Sequence, residues 1–135
     1  MKPRAINSRE APAAIGPYSH AVSAGGMIFL SGQIPVDPKT GALAGADPEQ
    51  QARQTFANLR AVARTAGGDL CDIVKLTIYL TDMQHFNAVN LVMTEVFAPP
   101  YPARATIGVA ALPKNALLEI DAVMICGSPA TNNLP

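Results

Sequence analysis

The chain has 135 residues, 49% of them hydrophobic and 15% charged, and its ten basic and ten acidic residues cancel to a formal net charge of zero. With no run of lysine or arginine, it lacks the basic footprint that phosphate binding needs, which argues against nucleic acid as its main partner. The apolar runs are far too short to span a bilayer, and the opening MKPRAINSREAP lacks the apolar segment of a secretory signal.

Length suits a single domain over residues 1–135, with flexible ends at 1–12 and 128–135. In Gly16-Pro17-Tyr18 the proline stiffens the backbone just before the tyrosine. Tyr18 is then either a core filler with a bonded hydroxyl or the wall of a pocket. Ala21–Ser23 and Met27–Gln33 read as strands around a Gly25-Gly26 hairpin turn. The second is apolar on both faces at its start and ends in Ser31-Gly32. A glycine there marks either a bulge or the close approach of a ligand.

Asp47-Pro48-Glu49-Gln50 is a helix start, with Asp47 as N-cap, Pro48 in the first turn and Gln50 placed to close a capping box. Ala52, Phe56, Leu59, Ala63 and Ala66 recur at helical spacing until Gly67-Gly68 ends the run. Asp72–Leu80 is a strand, with Val74, Leu76, Ile78 and Leu80 facing one way and Lys75, Thr77 and Tyr79 the other. Asp82 caps a second helix reaching about Phe97, whose stripe of Phe86, Met93 and Phe97 also contains Asn90. A polar residue on a buried face needs a partner, and tying down a loop backbone is one way to supply it.

Pro99-Pro100-Tyr101-Pro102 stops that helix. Ala103–Val109 and Leu117–Ile125 are the last strands. The order β-β-α-β-α-β-β predicts an α+β mixed sheet with two helices on one face, parallel pairs across the helices and antiparallel outer hairpins. In the last strand Glu119 and Asp121 share a face with Val123 and Ile125, a mixture that suits a subunit interface with a polar cleft. Cys71 and Cys126 form no C-x-x-C pair and read as two reduced, buried thiols of a cytoplasmic protein. His20 and His85 have no partner at ligand spacing, so no metal site is expected.

The chemistry concentrates in YPARATIGVAALPKNALLEI, residues 101–120. It holds Arg104 and Glu119, each isolated among apolar residues, where a charge is costly unless paired or liganded. Either the two form an ion pair, or Arg104 grips a carboxylate while Glu119 handles a water.

This stretch, with PAAIGPYSHAV, SGQIPVDPKTG and DIVKLTIYLTDMQHFNAVN, resembles the reactive intermediate deaminase family, the RidA or YjgF-like proteins, also called the endoribonuclease L-PSP family. The resemblance implies a chorismate-mutase-like fold and a homotrimer whose sheets form a central barrel, with active sites at the subunit interfaces. It implies hydrolysis of 2-imino or enamino acids such as 2-iminopropanoate and 2-iminobutanoate to 2-oxo acids and ammonia, without a cofactor. Arg104 matches the family arginine for the substrate carboxylate and Glu119 the acid that positions water. Tyr18, Ser31, Gly32 and Asn90 match positions around the ligand. Many members carry cysteine two residues after the arginine, where this chain has Thr106; a contact through the backbone N–H survives that change. Two other readings are a non-catalytic trimer that binds 2-oxo acids and an RNA-directed nuclease, the latter opposed by the charge balance.

Overall fold

A computed structural model describes residues 2–126; the flexible end expected at 128–135 lies outside the described residues. The elements run β1 (Arg4–Ile6), β2 (Ala21–Ala24), β3 (Met27–Gln33), α1 (Pro48–Thr65), β4 (Ile73–Leu80), α2 (Phe86–Val96), β5 (Ala103–Gly108) and β6 (Leu118–Met124). The expected β-β-α-β-α-β-β order is therefore present, preceded by one more strand. That strand corrects the reading of residues 1–12 as a loose lead-in. Residues 4–6 pair antiparallel with β2, and Ile6 and Ala11 join the core. The Ser8 N–H donates to Nδ1 of buried His20 at 2.9 Å. Only the last residue of β1 is buried, so no alternation betrays the strand in the sequence.

The sheet order is β1-β2-β3-β6-β4-β5. β4 and β5, joined through α2, pair in parallel as a helical crossover requires. β3 and β4, joined through α1, do not pair, because β6 enters between them antiparallel to both. The last two strands are thus not a hairpin, and β5 is left at the sheet edge. Burial explains the placement: Leu118, Ile120, Ala122 and Met124 of β6 are each at most 4% exposed, and α1 packs over them. A strand with such a face belongs at the centre of the sheet.

Asp47 caps α1 by accepting from the Glu49 and Gln50 N–H groups, both at 3.1 Å. Gln50 closes no capping box; its side chain lies against Gly45 instead. Ala52, Phe56, Leu59 and Ala63 face the core, and Gly67 ends the segment at φ +99°. Asp82 caps a 3-10 turn, Met83–His85, that runs on into α2. In β4, Leu76, Ile78 and Leu80 point inward as expected, but Val74 is 44% exposed. Ile73 opposes Met124 and Lys75 opposes Val123, so Val74 is the extra residue of a bulge and Ile73 takes the inward place. The cysteines are free, but only Cys126 is even partly buried; Cys71 is exposed on the turn before β4.

The face of the sheet away from the core carries Phe29 and Val123 as cross-strand neighbours, with Ile107 beyond. Phe29 and Ile107 are 45% and 44% exposed in the single chain. No helix among the described residues is long and apolar enough to cross a membrane.

Candidate functional site

Arg104 lies on edge strand β5 opposite Leu76, and its side chain therefore leaves the sheet on the core side, beneath α2. Three residues of α2, spaced four and three apart, hold it there. Its Nη1 donates to Asn90 Oδ1 at 2.5 Å and reaches Met93 Sδ at 3.4 Å. Its Cζ stands 5.2 Å from the centre of the Phe86 ring, within cation–π range. Asn90 thus orients the arginine rather than tying down a loop. Phe86 and Met93 were legible only as an apolar stripe, since nothing in their spacing says that a cation lies across it.

Among the described residues the ion pairs are Arg53 with Glu49 and Glu95, and Arg60 and Arg64 with Asp69. Arg104 has no carboxylate there, so the ion-pair reading with Glu119 does not hold within the chain. Its Nε and Nη2 donate to no acceptor among the described residues, leaving the guanidinium edge suited to a planar carboxylate open. Thr106 opposes Ile78 and so projects to the same side as Arg104. Its Oγ1 is buried without a hydrogen-bond partner among the described residues.

Glu119 belongs to a different group. It opposes Tyr79 across β6 and β4 and leaves the sheet on the face away from the core. Leu30 opposes Ala122 and Gln33 opposes Ile120, so Ser31 and Gly32 together face the single residue between, forming a bulge. Both readings of Gly32 are realised at once. A Cβ on Gly32 would collide with the Glu119 carboxylate, coming within 2.9 Å of Cδ and 3.1 Å of Cγ. Glycine is what lets that carboxylate lie against the strand. The Ser31 hydroxyl donates to the Ser19 carbonyl at 2.6 Å, and the Ser31 N–H to the His20 carbonyl at 2.9 Å. These bonds bring the segment after Tyr18 alongside the bulge. Tyr18 is 48% exposed, so it is not a core filler in the single chain.

Burial, and secondarily the charge of Asp121, push the Glu119 carboxyl above the ordinary carboxylate range. The Tyr79 hydroxyl donates to Asp121 Oδ2 at 2.8 Å. Hydrogen bonding to Asp121 and then burial raise the Tyr79 phenol.

The seven expected residues therefore form two clusters. Arg104, Thr106 and Asn90 lie on the core side at the sheet edge. Tyr18, Ser31, Gly32 and Glu119 gather around the bulge, with Glu119 on the outer face. Both clusters are open to solvent in the single chain, at Arg104 and at Tyr18; a groove of about 480 Å³, lined by Arg60, Asp69, Cys71, Phe97 and the prolines at 99, 100 and 102, contains none of the seven.

Residues 8–126 match the family model described as Endoribonuclease L-PSP. A RutC family protein of Sinorhizobium fredii is 50% identical over 119 residues, 88% of this chain and 94% of its own. The human 2-iminobutanoate/2-iminopropanoate deaminase is 42% identical, over 97% of this chain and 96% of its own. The crystal structure of Escherichia coli TdcF with bound serine has a TM-score of 0.83 at 41% identity, over 90% of this chain and 98% of that one. A family model across nearly all described residues, and full-length relatives of this identity, agree with the fold: the chain belongs to the endoribonuclease L-PSP family, the RidA and RutC relatives included.

Proposed function

We propose that this protein is a cytoplasmic homotrimeric hydrolase that converts reactive 2-imino acids, 2-iminopropanoate and 2-iminobutanoate and their enamine tautomers, to 2-oxo acids and ammonia. The observation that carries the reading is the open guanidinium edge of Arg104, held by α2 and unpaired among the described residues. Arg104 is exposed in the single chain, and a guanidinium fixed in place without a carboxylate is matched to a planar carboxylate ligand. Relatives named as deaminases for these imino acids support the substrate class. So does the relative crystallised with serine, whose carboxylate and amino group have the same spacing as an imino acid's.

Two features favour sites shared between subunits. The two clusters lie on opposite sides of one sheet, so a second copy is needed to bring Glu119 to Arg104. The outer face, apolar at Phe29 and Ile107, is the surface that a neighbouring sheet would cover.

In the proposed reaction the substrate carboxylate docks on Arg104, with the Thr106 and Gly32 N–H groups nearby and the planar imine against Tyr18. Glu119 takes a proton from water as its oxygen attacks the C=N carbon and passes that proton to the imine nitrogen. The resulting carbinolamine gives its hydroxyl proton to Glu119, which delivers it to the amine nitrogen as the C–N bond breaks, and ammonia leaves. Glu119 returns to the carboxylate, so the turnover needs only water.

The test is a coupled assay in which a dehydratase generates the imine in place from serine or threonine. Release of 2-oxo acid should accelerate with the wild-type protein and fall to the uncatalysed rate with Arg104→Ala at unchanged assembly. Undiminished hydrolysis by Arg104→Ala would sink the assignment. Glu119→Gln should still bind a 2-oxo acid while losing most turnover, since it keeps the shape and loses the base.

A further inference from the structure

Glu119 has company on its face of the sheet. Tyr79 is its direct cross-strand neighbour on β4, and Asp121, two residues along β6, points the same way opposite Thr77. The Tyr79 hydroxyl donates to Asp121 Oδ2 at 2.8 Å. That bond does more than satisfy a polar pair. It fixes a second carboxylate on the same row as the first, and it comes from the residue that flanks the first. We propose that Asp121, clamped by Tyr79, is a positioning residue that sets the proton affinity of Glu119 for the hydrolysis proposed above.

The chemistry asks for such a device. A general base works best when its proton affinity approaches the working pH, and a lone solvated glutamate is a weak base there. A neighbouring fixed negative charge disfavours the ionised form and so strengthens the base. Residues two apart on one face of a strand are separated by about 7 Å. At that distance the interaction raises the carboxyl, and it does so more strongly the less water lies between the two groups.

The other groups facing Glu119 do not supply this. From β3 it meets Ser31 and Gly32, which are uncharged. From β4 it meets Tyr79, which is neutral near pH 7, and farther along Lys75, which is exposed and opposes Val123 rather than Glu119. Arg104 of the same chain leaves the opposite side of the sheet; in the proposed assembly a neighbouring copy's Arg104 favours the ionised carboxylate and is the same in every variant compared below, so it does not supply the upward displacement. The upward displacement of the Glu119 carboxyl, with burial its larger cause and Asp121 its second, agrees with this arrangement.

The inference rests on the proposed hydrolysis for its purpose, but its test need not. Carboxyl-labelled glutamate, with the Glu119 resonance identified by its loss in Glu119→Gln, reports the Glu119 midpoint directly by NMR titration of the full-length protein. Asp121→Asn should lower that midpoint, leaving the part of the displacement that comes from burial. Asp121→Glu should restore most of the shift. Tyr79→Phe, which keeps both carboxylates, should lower it by less than Asp121→Asn, because an unclamped Asp121 swings away. A Glu119 midpoint unmoved by Asp121→Asn would overturn the inference, and one unmoved by Tyr79→Phe would overturn the part given to the clamp. The acid limb of kcat/KM should follow the NMR midpoints from variant to variant. Midpoints that shift as expected in a protein without imine hydrolysis would leave the coupling standing and remove the proposed reaction; hydrolysis with unmoved midpoints would do the reverse.

Discussion

Mixing two inactive variants is expected to restore imine hydrolysis. Arg104→Ala removes the carboxylate receptor and Glu119→Gln removes the base, and each alone should lower kcat/KM by at least about 100-fold. The geometry says why the mixture recovers. β4 lies between β5 and β6, which puts their backbones about 10 Å apart across the sheet. Through Leu76, Arg104 is aligned with Ala122, three residues from Glu119, which adds about 10 Å along the strand. The two side chains then leave opposite faces, whereas a small imino acid is only about 5 Å long. The proposed site therefore takes Arg104 from one chain and Glu119 from another. In a closed ring with equal random mixing, the arginine donor is intact in half of the sites and the glutamate donor in half, so about a quarter of the sites regain both. Coexpression of the two variants, followed by the coupled 2-oxo acid assay, reads this directly against the wild type. Activity no higher than the mean of the two pure variants, in particles verified to contain both, would refute the shared site and the face assignment on which it depends.

Gly32→Ala should leave stability within about 1 kcal/mol, since the colliding group is the mobile end of Glu119 and alanine restricts the unfolded chain. The same change should cost about 100-fold in turnover, because the carboxylate is displaced by about an ångström; chemical denaturation and steady-state kinetics on one preparation separate the two. Asn58→Ala should destabilise by roughly 2–3 kcal/mol in urea, because buried Asn58 donates to the Ile34 and Val36 carbonyls at 3.1 and 2.9 Å and both would lose their donor. Glu119→Gln should raise the melting temperature near pH 7 but not near pH 4. The folded state holds the Glu119 proton more tightly than the unfolded chain, so stability is highest below the ordinary value of 4.5 and falls as pH rises through the raised one. A difference between the two proteins that is flat with pH would contradict that charge penalty.

The parts of the fold that announced themselves were those whose burial follows a regular period. β6 alternates cleanly between core and outer face, and α1 carries its cap, its stripe and its terminal glycine in the expected places. What stayed hidden depended on partners distant in sequence. The insertion of β6 between β3 and β4 is decided by which strand has the driest face, a comparison between elements rather than a property of one. The Val74 bulge breaks the period by a single residue and moves Ile73 inward, which no alternation count reveals. At the candidate site, Arg104 and Glu119 stood out because isolated charges in apolar runs are conspicuous. Their separation onto two faces did not, because it is fixed by the register of β5 on β4 and of β6 on β4. Phe86 and Met93 were read as core, and the roles of Tyr79 and Asp121 depend on a hydrogen bond across 42 residues of sequence.

Three positions where local rules are broken share a cause. A well-paired strand has no need of the Ser31-Gly32 bulge, a folded monomer has no need to hold Glu119 against a desolvating wall, and the buried Thr106 hydroxyl has no partner among the described residues. Each costs the isolated chain stability, and each lies beside a group assigned here to the substrate. The core under α1 and β6 contributes nothing to that chemistry and carries no such conflict. The same division extends to the outer face, where Phe29 and Ile107 remain exposed next to Glu119 and Asp121. A neighbouring sheet that covered the apolar pair would also deliver Arg104 to Glu119, so one association would bury the apolar pair and complete the proposed site. That is why the stability of the assembled protein and its turnover should depend on the same contacts, and why a change that loosens this face should lower both together.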